Sequence, residues 1–321
     1  MLNIFLLLCG IGLLTLGGEA LIRGALGLAV RLAVSPLLTG LVIVGFGTSM
    51  PELVVSVDAV RSGQPDIAIG NVVGSNIGNI LLVLGLSAVI TPLTVTALSL
   101  RRDALGVIAV SLLFTMLTFN GLLSRLDALI FLVVLVIYLL WAYWGERFEV
   151  SSSAGVYKAE ADEVEQVPKS VVWSIAATVM GLLLMIAGSQ VLLKGAIGMA
   201  YSFGVSEAVI GLTLVAVGTS LPELSISVIA AIRGHADVAV GNILGSNIFN
   251  ILGILGVSAF VQPMKLADRV LVFDQWVMLG AAVLLVIFLW SGRRLNRLEG
   301  GLLLVGYIAY IAASFMVVAI K

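Results

Sequence analysis

The sequence predicts an all-α polytopic membrane protein, with ten transmembrane helices arranged as two inverted five-helix repeats. Composition, an internal duplication and the parity of the spans carry that reading. Hydrophobic residues make up 60% of the 321 and charged ones 11%, with a mean hydropathy of +1.18. A soluble chain of this size needs far more charge to cover its surface. Residues 40–85 and 211–256 are identical at 26 of 46 positions, with no gap and a spacing of 171. Five spans in each half is an odd number, so the second copy enters the membrane from the opposite side.

At about 20 residues per span, helices are expected at 2–30, 36–61, 66–90, 101–119 and 122–144, then at 169–201, 207–232, 237–261, 271–290 and 298–319. The first run lacks a basic leader and a small-residue cleavage site, and reads as a spanning helix. The units are then a first repeat, 1–144, an acidic cytoplasmic linker, 145–168, and a second, inverted repeat, 169–321. The linker carries Glu146, Glu149, Glu160, Asp162, Glu163 and Glu165; its composition fits a solvated connection better than a calcium sensor. Counting Lys and Arg between the spans, Arg102 and Arg269 included, gives ten on one side and five on the other. The richer side is expected to be cytoplasmic, with both termini outside.

A net charge of −1 without a basic patch gives no reason to expect nucleic acid as a partner. Cys9 stands alone, so no intramolecular disulfide forms. One Cys and one His (His235) do not make an ordinary zinc site. No cofactor motif appears, and no obligatory protein partner is implied. The expected partners are the lipid bilayer and small cations.

The candidate site lies in the duplicated stretch. Gly47-Thr48-Ser49-Met50-Pro51-Glu52 returns as Gly218-Thr219-Ser220-Leu221-Pro222-Glu223. Each proline lacks an N–H and its ring meets the carbonyl four residues back, at Gly47 or Gly218, so each helix should be interrupted near mid-membrane. Broken backbone at that depth is tolerated where it lines a cavity or is buried in protein. A glutamate at the bilayer centre costs about 2.5–3.5 kcal/mol on insertion scales, and two together also repel. Cations or protons would neutralise them. The next helix adds Asn71, Ser75 and Asn79, and its copy Asn242, Ser246 and Asn250, each trio on one face at intervals of four. Gly70, Gly74, Gly78, Gly241 and Gly245 run alongside and should admit a neighbouring backbone. The resulting all-oxygen ligand set suits calcium, which accepts about six to eight flexible oxygens, and sodium.

Blander roles compete for several residues. Asn71 and Asn242 read better as ties for broken helix ends than as ligands, and Asn76 and Asn247 lie off the stripe. Glu19 and Arg23 read as an ion pair near a helix end rather than a gate. Asp66 and Asp237 are expected to cap the helices they begin. Pairing with an amide or hydroxyl is the structural alternative for Glu52 and Glu223, but repeat, prolines and polar stripes coincide there.

The paired Gly-Thr-Ser-x-Pro-Glu and Gly-Ser-Asn-Ile-x-Asn stretches resemble the two α-repeats of the sodium/calcium exchanger family, within the cation/calcium antiporter superfamily. The resemblance covers the ten-helix plan and implies a central diamond of ion sites among broken helices 2, 3, 7 and 8. It implies Glu52 and Glu223 as shared calcium ligands, assisted by Thr48 and Thr219. Ser49, Ser220, Ser75 and Ser246 would complete the sodium positions. The backbone carbonyls of Gly45 and Ala216 match coordination points, and Asn79 and Asn250 would face the centre. Several relatives carry aspartate at the position of Asn250, potassium-dependent members in particular, so its absence here argues against potassium co-transport. The short central loop resembles prokaryotic relatives, which places the chain in an inner membrane.

The resulting expectation is a secondary antiporter exchanging calcium for sodium, with both ions bound as cargo and no cofactor. The resemblance adds that helices 1 and 6 slide across the core. Calcium/proton or sodium/proton exchange on the same fold is the alternative. A membrane-embedded serine hydrolase fits poorly, because a nucleophile needs a base within reach and the sole histidine lies at a helix end. A passive channel fits poorly too, since a dry two-carboxylate site traps a divalent ion.

Overall fold

A computed structural model describes residues 2–32, 36–95, 99–163, 170–202, 218 and 220–319. The described residues are all-α apart from four two-residue strands. Helix α1 is Leu2–Leu32. A turn at Pro36–Thr39 leads into α2 (Gly40–Thr48) and α3 (Met50–Arg61), which meet at 45°. There follow α4 (Pro65–Ile90), α5 (Leu105–Leu117), α6 (Arg125–Glu163) and α7 (Val171–Ser202). The second half continues with α8 (Leu221–Ile232), α9 (Ala236–Val261), α10 (Val270–Trp290) and α11 (Arg297–Ala319). Six of these are long and apolar enough to cross a membrane, and seven if the bent pair α2–α3 counts as one span. The architecture is that of an all-α polytopic membrane protein. Helix α6 runs past the expected end near residue 144, and the backbone stays helical through the acidic stretch to Glu163.

Depth of burial orders the helices. In the most apolar window of α4, 72% of residues are buried, and in that of α9, 83%, against 28% in α1, α6 and α7. Helices α4 and α9 therefore form the centre, and α1, α6 and α7 turn leucines and aromatics such as Phe5, Leu8, Trp141 and Trp173 outward. Helices α3 and α8 end alike, on Gly63 (φ +75) and Gly234 (φ +81). Only glycine enters this left-handed conformation without cost. The next amides close the turn, Gln64 N to Ala59 O and His235 N to Ala230 O, both 2.9 Å. The chain thereby reverses straight into α4 and α9. Asp66 and Asp237 lie in the first turns of those helices rather than at the caps, which are Gln64 and His235. A carboxylate there still favours the helix dipole.

The strands tie the two halves together. Strand β1 (Leu93–Thr94), after α4, pairs antiparallel with β4 (Arg294–Leu295), before α11. Strand β2 (Leu122–Leu123), before α6, pairs antiparallel with β3 (Met264–Lys265), after α9.

Helices α1 and α7 pack along each other through glycines at intervals of seven, Gly10, Gly17 and Gly24 on one and Gly181, Gly188 and Gly195 on the other. A Cβ at Gly10 would lie 2.6 Å from Leu192 N, and one at Gly181 2.5 Å from Leu21 N. Gly17 and Gly188 meet Met185 N and Leu14 N at 2.9 Å. Gly24 meets Thr178 N at 2.5 Å and Gly195 meets Leu7 N at 2.9 Å. The contacts are reciprocal across the 171-residue offset.

Candidate functional site

Helices α2 and α3 meet at Ser49, two residues before Pro51, and α8 begins just after Ser220, two residues before Pro222. The backbones of the two serines match, φ −84 and ψ 4 against φ −89 and ψ 9, in the sparsely populated bridge region. Pro51 and Pro222 open the next helices, where an absent N–H leaves nothing unpaired. Glu52 and Glu223 consequently sit in the first turns of α3 and α8, both fully buried.

Side chains from α2, α4 and α9 close around this pair. Ser49 Oγ donates to Glu223 Oε1 at 3.0 Å. Ser75 and Ser220 share a hydroxyl–hydroxyl bond of 3.1 Å. Thr48 Oγ1 donates to Asn242 Oδ1 (3.2 Å), whose Nδ2 donates to Ser227 Oγ (2.8 Å) and to the Glu223 carbonyl (3.3 Å). Asn71 Nδ2 repeats part of this with Ser56 Oγ at 3.2 Å. Both asparagines thus tie a half-helix to the helix that follows it. The Gly45 carbonyl accepts from Ser246 Oγ at 3.0 Å and from Ser49 N at 3.2 Å.

Between α4 and α9 the other asparagines cross. Asn76 Nδ2 donates to the Asn247 carbonyl (3.1 Å) and Asn247 Nδ2 to the Asn76 carbonyl (3.4 Å). Asn79 Nδ2 donates to Asn247 Oδ1 (3.0 Å), and Asn250 Nδ2 to Asn76 Oδ1 (3.0 Å) and Ser75 Oγ (3.4 Å). Asn79 and Asn250 each open a widened π-helical turn, Asn79–Leu84 and Asn250–Leu255, a local feature frequent at functional sites.

Buried oxygens are left over at this place. Both carboxylate oxygens of Glu52, Glu223 Oε2, Asn79 Oδ1 and Asn250 Oδ1 have no hydrogen-bond partner. A buried acceptor without a donor is costly. All five are hard oxygens, the donor type of calcium and sodium. Among the described residues no three His, Cys, Asp or Glu side chains cluster, so the formal charge available here is that of the two glutamates.

Of the residues singled out in the sequence, Gly45, Thr48, Ser49, Glu52, Ser75, Asn79, Ser220, Glu223, Ser246 and Asn250 lie in or beside this cluster. Ala216 and Thr219 fall outside the described residues. Of the helix glycines expected to admit a neighbouring backbone, Gly245 does so: a Cβ there would overlap the Leu41 carbonyl, and one at Gly45 would stand 2.8 Å from the Asn242 carbonyl oxygen.

A model of the sodium/calcium exchanger protein family matches residues 2–144 and 173–316. The chain belongs to this family. It is thus a member of the cation/calcium antiporters, transporters rather than enzymes. CaxA of Alkalimonas amylolytica is 39% identical over 308 residues, covering 94% of this chain and 95% of that protein. The sodium/calcium exchanger MaX1 of Methanosarcina acetivorans is 34% identical over 347 residues, covering 98% and 99%. Among solved structures, the sodium-calcium exchanger NCX_Mj soaked with zero Na+ and Ca2+ superposes with a TM-score of 0.83 at 31% identity, covering 97% of this chain and 98% of that one.

Three features of this family member escaped the sequence reading. Arg102, counted above as a loop charge, is 2% exposed and pairs with Asp103 at 2.6 Å, while Tyr138 Oη donates to the same carboxylate at 2.8 Å. Arg269, Asp274 and Tyr310 rebuild the group in the second half, at 3.0 and 3.1 Å. The signal was present as the 171-residue spacing of Asp103 and Asp274. Glu19 does pair with Arg23 at 2.8 Å, but it also takes Arg233 at 3.0 Å, joining α1 to the end of α8. The third feature is the glycine interval of α1 and α7, whose period of seven is legible once the two runs are aligned.

Proposed function

We propose that this chain is a secondary-active antiporter exchanging calcium for sodium by alternating access, with Glu52 and Glu223 as the central cation ligands. The five unpartnered oxygens on Glu52, Glu223, Asn79 and Asn250 carry the reading. Thr48, Ser49, Ser75, Ser220 and Ser246 would contribute around them, with the Gly45 carbonyl, Thr219 and the Ala216 carbonyl as further positions. The relatives' names, sodium/calcium exchanger for MaX1 and sodium-calcium exchanger for NCX_Mj, support the same cargo.

Coupling follows from charge. One calcium or two sodium ions balance two glutamates. Loaded, the site is neutral and can be occluded; empty, it would bury two bare carboxylates, which costs several kcal/mol per ion even after relaxation. Only loaded forms cross, so exchange is obligatory. The moving body would be α1 with α7.

The same reading takes the chain as ten helices in two inverted five-helix repeats, 1–144 and 169–321, joined by residues 145–168 on the cytoplasmic side of a prokaryotic inner membrane. Both termini would then lie outside. The strand pairs support it: this topology puts the connections carrying β1 and β4 on one side, and those carrying β2 and β3 on the other.

The test is calcium uptake into proteoliposomes loaded with sodium and diluted into potassium, beside a pH-gradient control and Glu52→Gln. Uptake that requires the sodium gradient and disappears in the variant is the expected result. Uptake driven only by the pH gradient would make protons the exchanged ion. Glu52 supports that second reading, since neither of its oxygens receives a donor.

A further inference from the structure

We propose that Asn76 and Asn247 are positioning residues that fix which end of the Asn79 and Asn250 amides faces the transported cation. The inference rests on the cation site proposed above and assigns it a second layer of control. A primary amide has a donor end and an acceptor end of nearly equal size, and without external bias it presents either one. Here the bias comes from the main chain. A backbone carbonyl only accepts, so Asn247 must aim Nδ2 at the Asn76 carbonyl, and Asn76 must aim Nδ2 at the Asn247 carbonyl. Their remaining ends are then oxygens. Asn79 meets the Asn247 oxygen and must present Nδ2 to it, at 3.0 Å. Asn250 does the same toward the Asn76 oxygen, also at 3.0 Å.

The last ends of the chain are Asn79 Oδ1 and Asn250 Oδ1, buried and unpartnered, in turns that pack against the helices carrying Glu223 and Glu52 respectively. Reversing Asn79 would set two acceptor oxygens against each other and turn an NH2 group toward the cation. The crossed pair excludes that state before any ion arrives, so two ligand oxygens are oriented in advance. The same logic accounts for an amide at position 250. An aspartate there has no N–H for the Asn76 oxygen, and its own oxygen would oppose it. The acid is therefore incompatible with this arrangement unless Asn76 changes as well.

Outer partners that orient a metal's ligands typically contribute about 10–100-fold in metal affinity. Asn247→Leu keeps the approximate shape and deletes both hydrogen-bonding ends. It should weaken calcium binding by about that factor, measured by calorimetry on purified protein, and raise the calcium KM of uptake more than it lowers the maximal rate. A purely structural role predicts lost thermal stability without calcium and an unchanged affinity in the folded fraction. A double-mutant cycle separates orientation from added charge. Asn79→Asp brings two equivalent oxygens that need no orienting, so it should improve affinity more in the Asn247→Leu background than in the wild type. Equal effects in the two backgrounds would overturn the positioning role. The cycle of Asn76→Leu with Asn250→Asp tests the other half and serves where Asn247→Leu is not recovered folded. Wild-type protein that binds neither calcium nor sodium would overturn the cation site and this inference together. Wild-type binding matched by Asn247→Leu would overturn this inference alone.

Discussion

At the scale of single residues, the glutamates and the serines around them divide the work unequally. Glu223 receives one hydrogen bond through Ser49 and keeps its other oxygen unpartnered, whereas Glu52 keeps both. Glu223→Gln should abolish sodium-dependent calcium uptake at unchanged protein level, because it halves the negative charge that balances the cargo. Ser49→Ala removes one donor to a charged group, a contact worth about 1.5–3 kcal/mol. Its expected effect is about a tenfold loss of apparent calcium affinity with transport retained. Vesicle uptake over a calcium titration checks both. The glutamates and polar stripes were legible because each occurs twice at one spacing. The roles of Asn76 and Asn247 were not. Being off the stripe, they read as structural, and a helical wheel cannot show that their partners are carbonyls of the opposite helix.

At the scale of elements, the bend between α2 and α3 was legible from proline and glycine, and it falls between Gly47 and Pro51, where the sequence placed it. The bend sits at Ser49, and Pro51 merely begins α3. Pro51→Ala should therefore leave the bend and calcium affinity close to wild type, with a thermal midpoint shifted by a few degrees at most. Gly245 of α9 lies against the Leu41 backbone, where overpacking typically costs about 1–3 kcal/mol. Gly245→Ala should lower the melting temperature and calcium uptake together.

Across the whole molecule, the apolar runs announced the membrane and the duplication announced two related halves. The helix extending to Glu163 and the buried groups at Asp103 and Asp274 did not appear, because an acid next to arginine reads as a loop when no partner is visible. The bridge from Glu19 to Arg233 also spans halves. Its members are partly exposed, 26% and 59%, so it contributes about 0–1 kcal/mol to stability. If α1 moves against α8 during transport, that bridge has to open. Glu19→Gln should then leave calcium affinity unchanged and raise the exchange rate, which stopped-flow uptake would detect. A rate equal to wild type would mean that the pair travels intact.

The reciprocal glycine contact between α1 and α7 has a consequence for ancestry. Residue for residue, it is the interface that two identical half-length chains would form about a two-fold axis, where each patch meets its own copy. Fusion of such a pair would leave the contact unaltered and make the connecting segment dispensable for assembly. Severed between residues 163 and 170 and co-expressed, the two polypeptides should still find one another in the membrane and copurify. Leucine at Gly17 should prevent their reunion.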